Sequence, residues 1–192
     1  RKNNPDPLQP FWNRATQGTY APGSTFKPVT AIAALETGII TPKSTILTKG
    51  VYHYGDWAYK CCLYNQNGGT HGRIDVTEAI KVSCNYFFYD IGRRTGISTI
   101  ARYASAFGLG EPTGIEIPEK IGVMTTPDYV NSLDGHYWTD GQTLTAAIGQ
   151  SYSLFTPLQL ANYVATLAGG GTRYNAHLLK EVRTYDSAEI VD

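Results

Sequence analysis

The chain carries YAPGSTFKP at residues 20–28, and how that stretch is read decides the fold. Pro22-Gly23 makes a turn, and the segment behind it, STFKPVTAIAALETG (24–38), repeats with a helical period. Phe26, Val29, Ile32, Ala33 and Leu35 lie roughly on one face, with Gly38 as the stop. Pro28 falls within or just after the first turn, where a missing N–H is tolerated. Ser24 and Lys27 are therefore expected on the same side of a helix start.

That placement has a chemical meaning. A serine hydroxyl is a poor nucleophile until a base takes its proton, and an unprotonated lysine can be that base. The helix start adds N–H groups and positive dipole beside any oxyanion that forms there. The tetrad alone also fits an N-cap serine with a surface lysine, so a second signal is needed. Ser83-Cys84-Asn85 supplies it, with a second hydroxyl able to relay a proton and a carboxamide able to hold a substrate amide. Alone, that triplet fits a polar helix junction.

Further out, DVTEAIKVSCNYFFYDIGRRTG (75–96) reads as helix, with Asp75 as N-cap and Glu78 completing a capping pair. An interruption near Ser83 precedes a second helix over 85–94. ISTIARYASAFG (97–108) is amphipathic and closed by Gly108. TPLQLANYVATLAGGG (156–171) has Thr156 as N-cap, Pro157 at the first helical position and glycines as its stop. Residues 39–75, rich in Gly, Asn and Tyr, show no helical period and are expected to be irregular. Only AHLLKEVRTY (176–185) alternates like a strand. There is no internal repeat and no low-complexity linker.

Taken together, YAPGSTFKP, AALETG (33–38), SCNYFFYDIG (83–92), FGLGEPTGIEIPE (107–119) and AIGQSYSLFTPLQLANYVATLAGGG (147–171) resemble the transpeptidase domain of class B penicillin-binding proteins. The similarity runs from about Asn13 to Leu179 and keeps the family's order. It implies an α+β, penicillin-binding/serine β-lactamase-like fold, here mainly its helical core with little of the five-stranded sheet. It also implies a D,D-transpeptidase that cross-links peptidoglycan stem peptides through a serine acyl-enzyme and is a target of β-lactams. Ser24 would be the acylated nucleophile, Lys27 its base, Ser83 the proton shuttle, and Asn85 the contact to the substrate amide. No cofactor would be required. Cell-wall synthesis proteins would be partners of the full-length protein, which would work at the extracytoplasmic face of a bacterial membrane.

The third motif of the family, Lys-Thr-Gly or Lys-Ser-Gly on a sheet strand, does not occur; Lys49-Gly50 lacks the middle hydroxyl. Residues 1–192 are accordingly expected to be a truncated transpeptidase domain, with sheet strands belonging before Arg1 and after Asp192. The fragment alone is expected to be inactive, and its helices to expose an apolar face where the sheet belongs. Two other functions compete. A serine β-lactamase needs a deacylating water, usually placed by a Glu-x-x-Leu-Asn segment that these residues lack. A β-lactam sensor or scaffold would keep the fold without turnover.

The cysteines pose a separate question. Asp56, Cys62, His71 and Cys84 match no compact zinc-knuckle spacing, yet a 51–74 loop folded over the SCN junction would make a tetrahedral zinc site of them. Cys61 could replace Cys62. The plainer alternative is one buried cysteine beside the active site and two loop thiols. Three cysteines cannot all pair, and neighbours such as Cys61 and Cys62 rarely bridge, so no disulfide framework is expected.

Composition bounds the rest. At 192 residues, 42% hydrophobic and 17% charged, the chain supports one domain with a real core rather than disorder. Lysine plus arginine and aspartate plus glutamate balance at 16 each, so no global field points to nucleic acid. Fourteen tyrosines and three tryptophans suit a core, or a groove for sugars or peptides. No signal peptide and no bilayer-length apolar stretch stands out.

Overall fold

A computed structural model describes residues 9–186 and residue 190. Its centre is helix α2 (Lys27–Glu36), entered directly from a 3₁₀ turn over Gly23–Phe26. The helix expected from Ser24 thus begins one turn later, and Ser24 itself sits on the tighter turn. Residues i and i+3 eclipse in 3₁₀ geometry, which keeps Ser24 and Lys27 aligned.

Small side chains let α2 be covered on two sides. Ala31 and Ala34 belong to one core cluster with Phe87, Phe88 and Ile91 of α5 (Asn85–Thr95) and with Leu144 of α8 (Gly141–Ala146). Val29 and Ala33 belong to another, with Phe26, Phe155, Ile100 and Ala104 of α6 (Ile97–Ala106), and Tyr163 of α9 (Pro157–Ala168). Each fully buried Phe or Ile contributes about 1.5–3 kcal/mol over exposure, so α2 is held by two cores at once. Where α5 meets the end of α8 there is no room for a side chain. A Cβ on Gly92 would come within 2.3 Å of the Ala147 Cβ.

The caps follow the sequence closely. Thr156 and Gln159 form the reciprocal capping box of α9. The Gln159 amide also donates to the Glu111 and Ile121 carbonyls, pinning the loop after α6. Asp75 caps α4 (Val76–Lys81) by accepting from the Glu78 N–H. The return half of that pair is not made there, because the Glu78 carboxylate instead meets Lys81 at 3.2 Å.

Two readings need correction. Residues 39–75 are not irregular: β1 (Ile46–Thr48) pairs antiparallel with β4 (Gly72–Ile74), and β2 (Val51–Tyr54) with β3 (Trp57–Lys60). Gly55, at a φ of +56, turns the β2–β3 hairpin, and α3 (Cys62–Asn67) follows it. These strands are three or four residues long, so their alternation is too brief to stand out among glycines and asparagines. The expected strand over 176–185 does not form among the described residues, where Arg183 stands in an isolated bridge with Ile190. The chain there lies on loop carboxylates instead, with the Leu178 and Leu179 N–H groups donating to Glu116.

The remaining helices, α1 (Arg14–Gln17) and α7 (Pro127–Ser132), are short. Among the described residues the two sheets are two-stranded, and no helix is long and apolar enough to cross a membrane. One side of α9, carrying Leu160, Ala161, Val164 and Ala168, is left as an open apolar depression, with Val164 exposed.

Candidate active site

Ser24, Lys27, Ser83 and Asn85 come together where the 3₁₀ turn, the start of α2 and the start of α5 meet. Lys27 is buried, and its Nζ donates to the Ser83 carbonyl (2.8 Å), Ser83 Oγ (2.8 Å) and Asn85 Oδ1 (2.6 Å). Ser83 Oγ in turn donates to Ser24 Oγ at 3.0 Å. The lysine is thus joined to Ser24 through the Ser83 hydroxyl.

The chemistry of these contacts is asymmetric. Three acceptors satisfy the three hydrogens of an ammonium. When the ammonium loses a proton, one contact must reverse, and a carbonyl or a carboxamide oxygen cannot donate. Only the Ser83 hydroxyl can turn around, so a proton can travel from Ser24 through Ser83 to Lys27. Burial lowers the Lys27 pKa below its ordinary value, and the Cys62, Cys61 and Cys84 thiols oppose this in part. A neutral amine is therefore within easier reach than for a surface lysine.

Backbone geometry fixes these groups. Ser83 adopts a φ of +52, the left-handed region that L-residues avoid. This twist breaks the helix between α4 and α5 and aims both its carbonyl and its hydroxyl at Lys27. On the other side, the Gly23 N–H donates to the Gly149 carbonyl (2.8 Å), and Tyr20 and Phe155 exchange two backbone bonds of 2.9 Å. Gly149 has a φ of +72, and a Cβ there would fall 2.1 Å from the Gly23 carbonyl oxygen. Gly149 was not singled out from sequence. Its signal is a glycine in AIGQS that ends no long helix.

The cysteines gather on the back of this site. Cys61 caps α3 and Cys84 caps α5, so two helix starts converge on one thiol pair. Cys61 Sγ lies 3.8 Å from Cys84 Sγ and 3.8 Å from His71 Nδ1. These three donor atoms all fall within 4.8 Å of one another. Cys61, and not Cys62, completes the group. Cys62 Sγ is 3.9 Å from Cys61 Sγ but points to the Ser83 carbonyl at 3.7 Å. Asp56 lies outside the group, because the β2–β3 turn carries it away to line a cavity with Trp57 and Asp140. All three cysteines are free thiols. The Cys84 S–H, followed by the N–H groups of Tyr86, Leu63 and Asn85, holds Cys61 down to about 4, while that same hydrogen bond and then burial push Cys84 up.

A tetrahedron of sulfurs built on Zn–S bonds of about 2.3 Å has an edge of about 3.8 Å. The donor set of Cys61, His71 and Cys84, with Cys61 Sγ at 3.8 Å from each of the other two donor atoms, therefore suits three of the four positions of a zinc site.

Comparison with known proteins identifies the family of the fold that carries this group. Residues 1–191 match the penicillin binding protein transpeptidase domain family. Peptidoglycan D,D-transpeptidase MrdA of Salmonella typhimurium is 36% identical over 178 residues, covering 88% of this chain and 27% of that protein. The chain thus spans about a quarter of the length of the curated relatives it matches. Among solved structures, PBP2 of Helicobacter pylori in complex with MreC aligns with a TM-score of 0.82 at 29% identity, over 90% of this chain and 32% of that one. The penicillin G acyl-enzyme complex of penicillin-binding protein A from M. tuberculosis aligns with a TM-score of 0.77 at 28% identity, over 96% and 40%. With its sequence matched almost end to end and its helices superposing on these solved structures, the chain belongs to the penicillin-binding protein transpeptidase family, as a class B domain.

Proposed function

We propose that the full-length protein is a serine D,D-transpeptidase that cross-links peptidoglycan stem peptides. The observation that carries this is the hydroxyl relay from Ser24 through Ser83 to a buried lysine. Ser24 Oγ attacks the carbonyl of the penultimate D-alanine, and its proton passes by Ser83 to neutral Lys27. The C–N bond to the terminal D-alanine breaks, and that leaving amine takes a proton back along the same path. An amine from a neighbouring strand then resolves the ester on Ser24. Asn85, its carbonyl oxygen held by Lys27, keeps its amide N–H groups for a substrate carbonyl. β-Lactams acylate the same serine, as the M. tuberculosis relative's acyl-enzyme suggests by analogy.

The family's chemistry runs through the serine and needs no cofactor. Zinc held by Cys61, His71 and Cys84 would be structural, tying the strand-rich 46–74 segment to the start of α5. Those residues already orient the SCN junction, because Cys84 is the residue between Ser83 and Asn85. The open apolar side of α9 supports reading these residues as the helical part of the domain, with the sheet and its Lys-Thr-Gly strand supplied by sequence outside them. A membrane-anchored, extracytoplasmic protein that docks to other cell-wall synthesis proteins, as H. pylori PBP2 does to MreC, fits the same reading.

Intact mass after incubation with penicillin tests the proposal. The full-length protein gains one penicillin, and Ser24→Ala gains none. An adduct that persists in Ser24→Ala, or its absence from the full-length protein, sinks the assignment. Rapid hydrolysis of the adduct would favour a β-lactamase.

A further inference from the structure

All three cysteines of the sequence stand in one row, although Cys61 and Cys84 are 23 residues apart. Cys62 Sγ lies 3.9 Å from Cys61 Sγ, which in turn lies 3.8 Å from Cys84 Sγ. Access falls along the row, from half-buried Cys62 to Cys61 and Cys84, which are both buried. A dissolved reagent therefore meets Cys62, and the inner two thiols receive only what Cys62 passes on.

Both ends of the row touch the catalytic relay. The Cys62 S–H donates to the Ser83 carbonyl at 3.7 Å, and Lys27 Nζ donates to that same carbonyl at 2.8 Å. Ser83 Oγ continues to Ser24 Oγ at 3.0 Å. At the other end, Cys84 caps α5 and joins Ser83 to Asn85. Pulling on Cys84 therefore pulls on the two side chains that hold Lys27.

We propose that Cys62, Cys61 and Cys84 form a thiol–disulfide switch. An external disulfide enters at Cys62, and the bond comes to rest between Cys61 and Cys84, where it slows the serine chemistry. The Cys62 sulfur attacks one sulfur of the external disulfide RSSR, whose S–S bond breaks and releases RSH. Cys61 then attacks the Cys62 sulfur of the mixed disulfide and releases the second RSH. A bridge between adjacent residues is strained, so Cys84 attacks Cys61, and Cys62 leaves as a thiol again. Each departing sulfur takes the proton of the thiol that displaced it. Two protein thiols are oxidised, and one external disulfide is reduced to two thiols.

Bridging closes the 3.8 Å between Cys61 and Cys84 to about 2.05 Å. Misplacing catalytic groups by 1 Å can cost about 10²-fold, so the relay should feel the change. Zinc on Cys61 and Cys84 and a bridge between them exclude one another. The effect on catalysis rests on the transpeptidase reading; the bridge does not.

The test incubates the full-length protein, freed of metal by a chelator, with excess glutathione disulfide. Free thiols are then alkylated and the protein is digested without reduction. Peptide mapping should find Cys61 bridged to Cys84, and dithiothreitol should reverse it. Penicillin acylation should slow by about 10–100-fold in the bridged protein and recover on reduction. Cys61→Ser should stop the sequence at its first step, with one glutathione held on Cys62, and Cys62→Ser should suppress bridging. Should either variant fail to fold, the native mapping and its reversal decide alone. Native protein that keeps three free thiols overturns the switch, as does Cys62→Ser that bridges as quickly as native. A bridged protein that acylates at the full rate overturns it too. If the bridge forms and reverses while even the reduced protein is not acylated, the thiol chemistry stands and the transpeptidase reading falls.

Discussion

Two regions of this molecule approach Ser83 and Asn85 from opposite sides and are built on different principles. On one side, α2, α5 and α6 fill two cores with Phe26, Phe87, Phe88, Ile91 and Ile100. On the other, the 46–74 segment has strands of three or four residues and few buried side chains of its own. It is attached through a buried tyrosine, Tyr52, and through Cys61, His71 and Cys84. The lesson is a division of labour. The helical side fixes Ser24 and Lys27 by packing, and the strand-rich side fixes the SCN junction by a few polar and thiol contacts.

The largest effects should fall on the relay. Lys27→Met is expected to slow penicillin acylation by about 10²–10⁴-fold, the usual worth of a positioned base, as read by stopped-flow or mass spectrometry. Because burial lowers the Lys27 pKa, acylation by the native protein should rise with pH and level off below the ordinary lysine value of 10.5. The unfolded chain binds that proton more tightly, so the stability penalty is fully present below the lowered pKa. It is relieved as pH climbs towards 10.5. A flat acylation profile would break the link between burial and catalysis.

Next comes a contrast across the two regions. Phe87→Ala should cost about 3–5 kcal/mol in denaturant unfolding, as a full cavity in the helical core. Trp57→Ala, at the exposed hairpin tip, should stay within about 0.5 kcal/mol. Similar losses for both would mean that the strand-rich side is as deeply built as the helical one.

A smaller effect tests the thiol attachment. Cys61→Ala should make hydrogen exchange faster across β1–β4 and α3 while leaving α6 and α9 unchanged. If zinc occupies the group, a chelator should lower the melting temperature of the native protein and not that of Cys61→Ala. Slowest to show is the cap of α9, where Thr156→Ala should cost about 1 kcal/mol by removing one half of its box.

Legibility in the sequence follows the same division. The helices of the core announced themselves because each turns a wide apolar stripe inward, and Thr156, Pro157 and Gly108 marked their ends. Ser24, Lys27, Ser83 and Asn85 were readable as a set through motif order. The four short strands were not, since three or four residues cannot establish a period of two. Nor could spacing decide between Cys61 and Cys62. Adjacent residues on a strand-to-helix corner point in different directions, and only the cap geometry of α3 turns Cys61 towards Cys84. Gly149 was invisible for a related reason, because its role is to let another segment's carbonyl come close.

The left-handed backbone at Ser83 carries an implication for how this protein can be improved. Glycine would accept that torsion without strain, a relief on the order of 1 kcal/mol at the level of the backbone alone. It would also delete the hydroxyl through which Ser24 and Lys27 communicate. Selection for a sturdier fold and selection for turnover therefore pull in opposite directions at a single dihedral angle. Stabilised variants obtained by screening for thermal resistance alone should be checked first at this position.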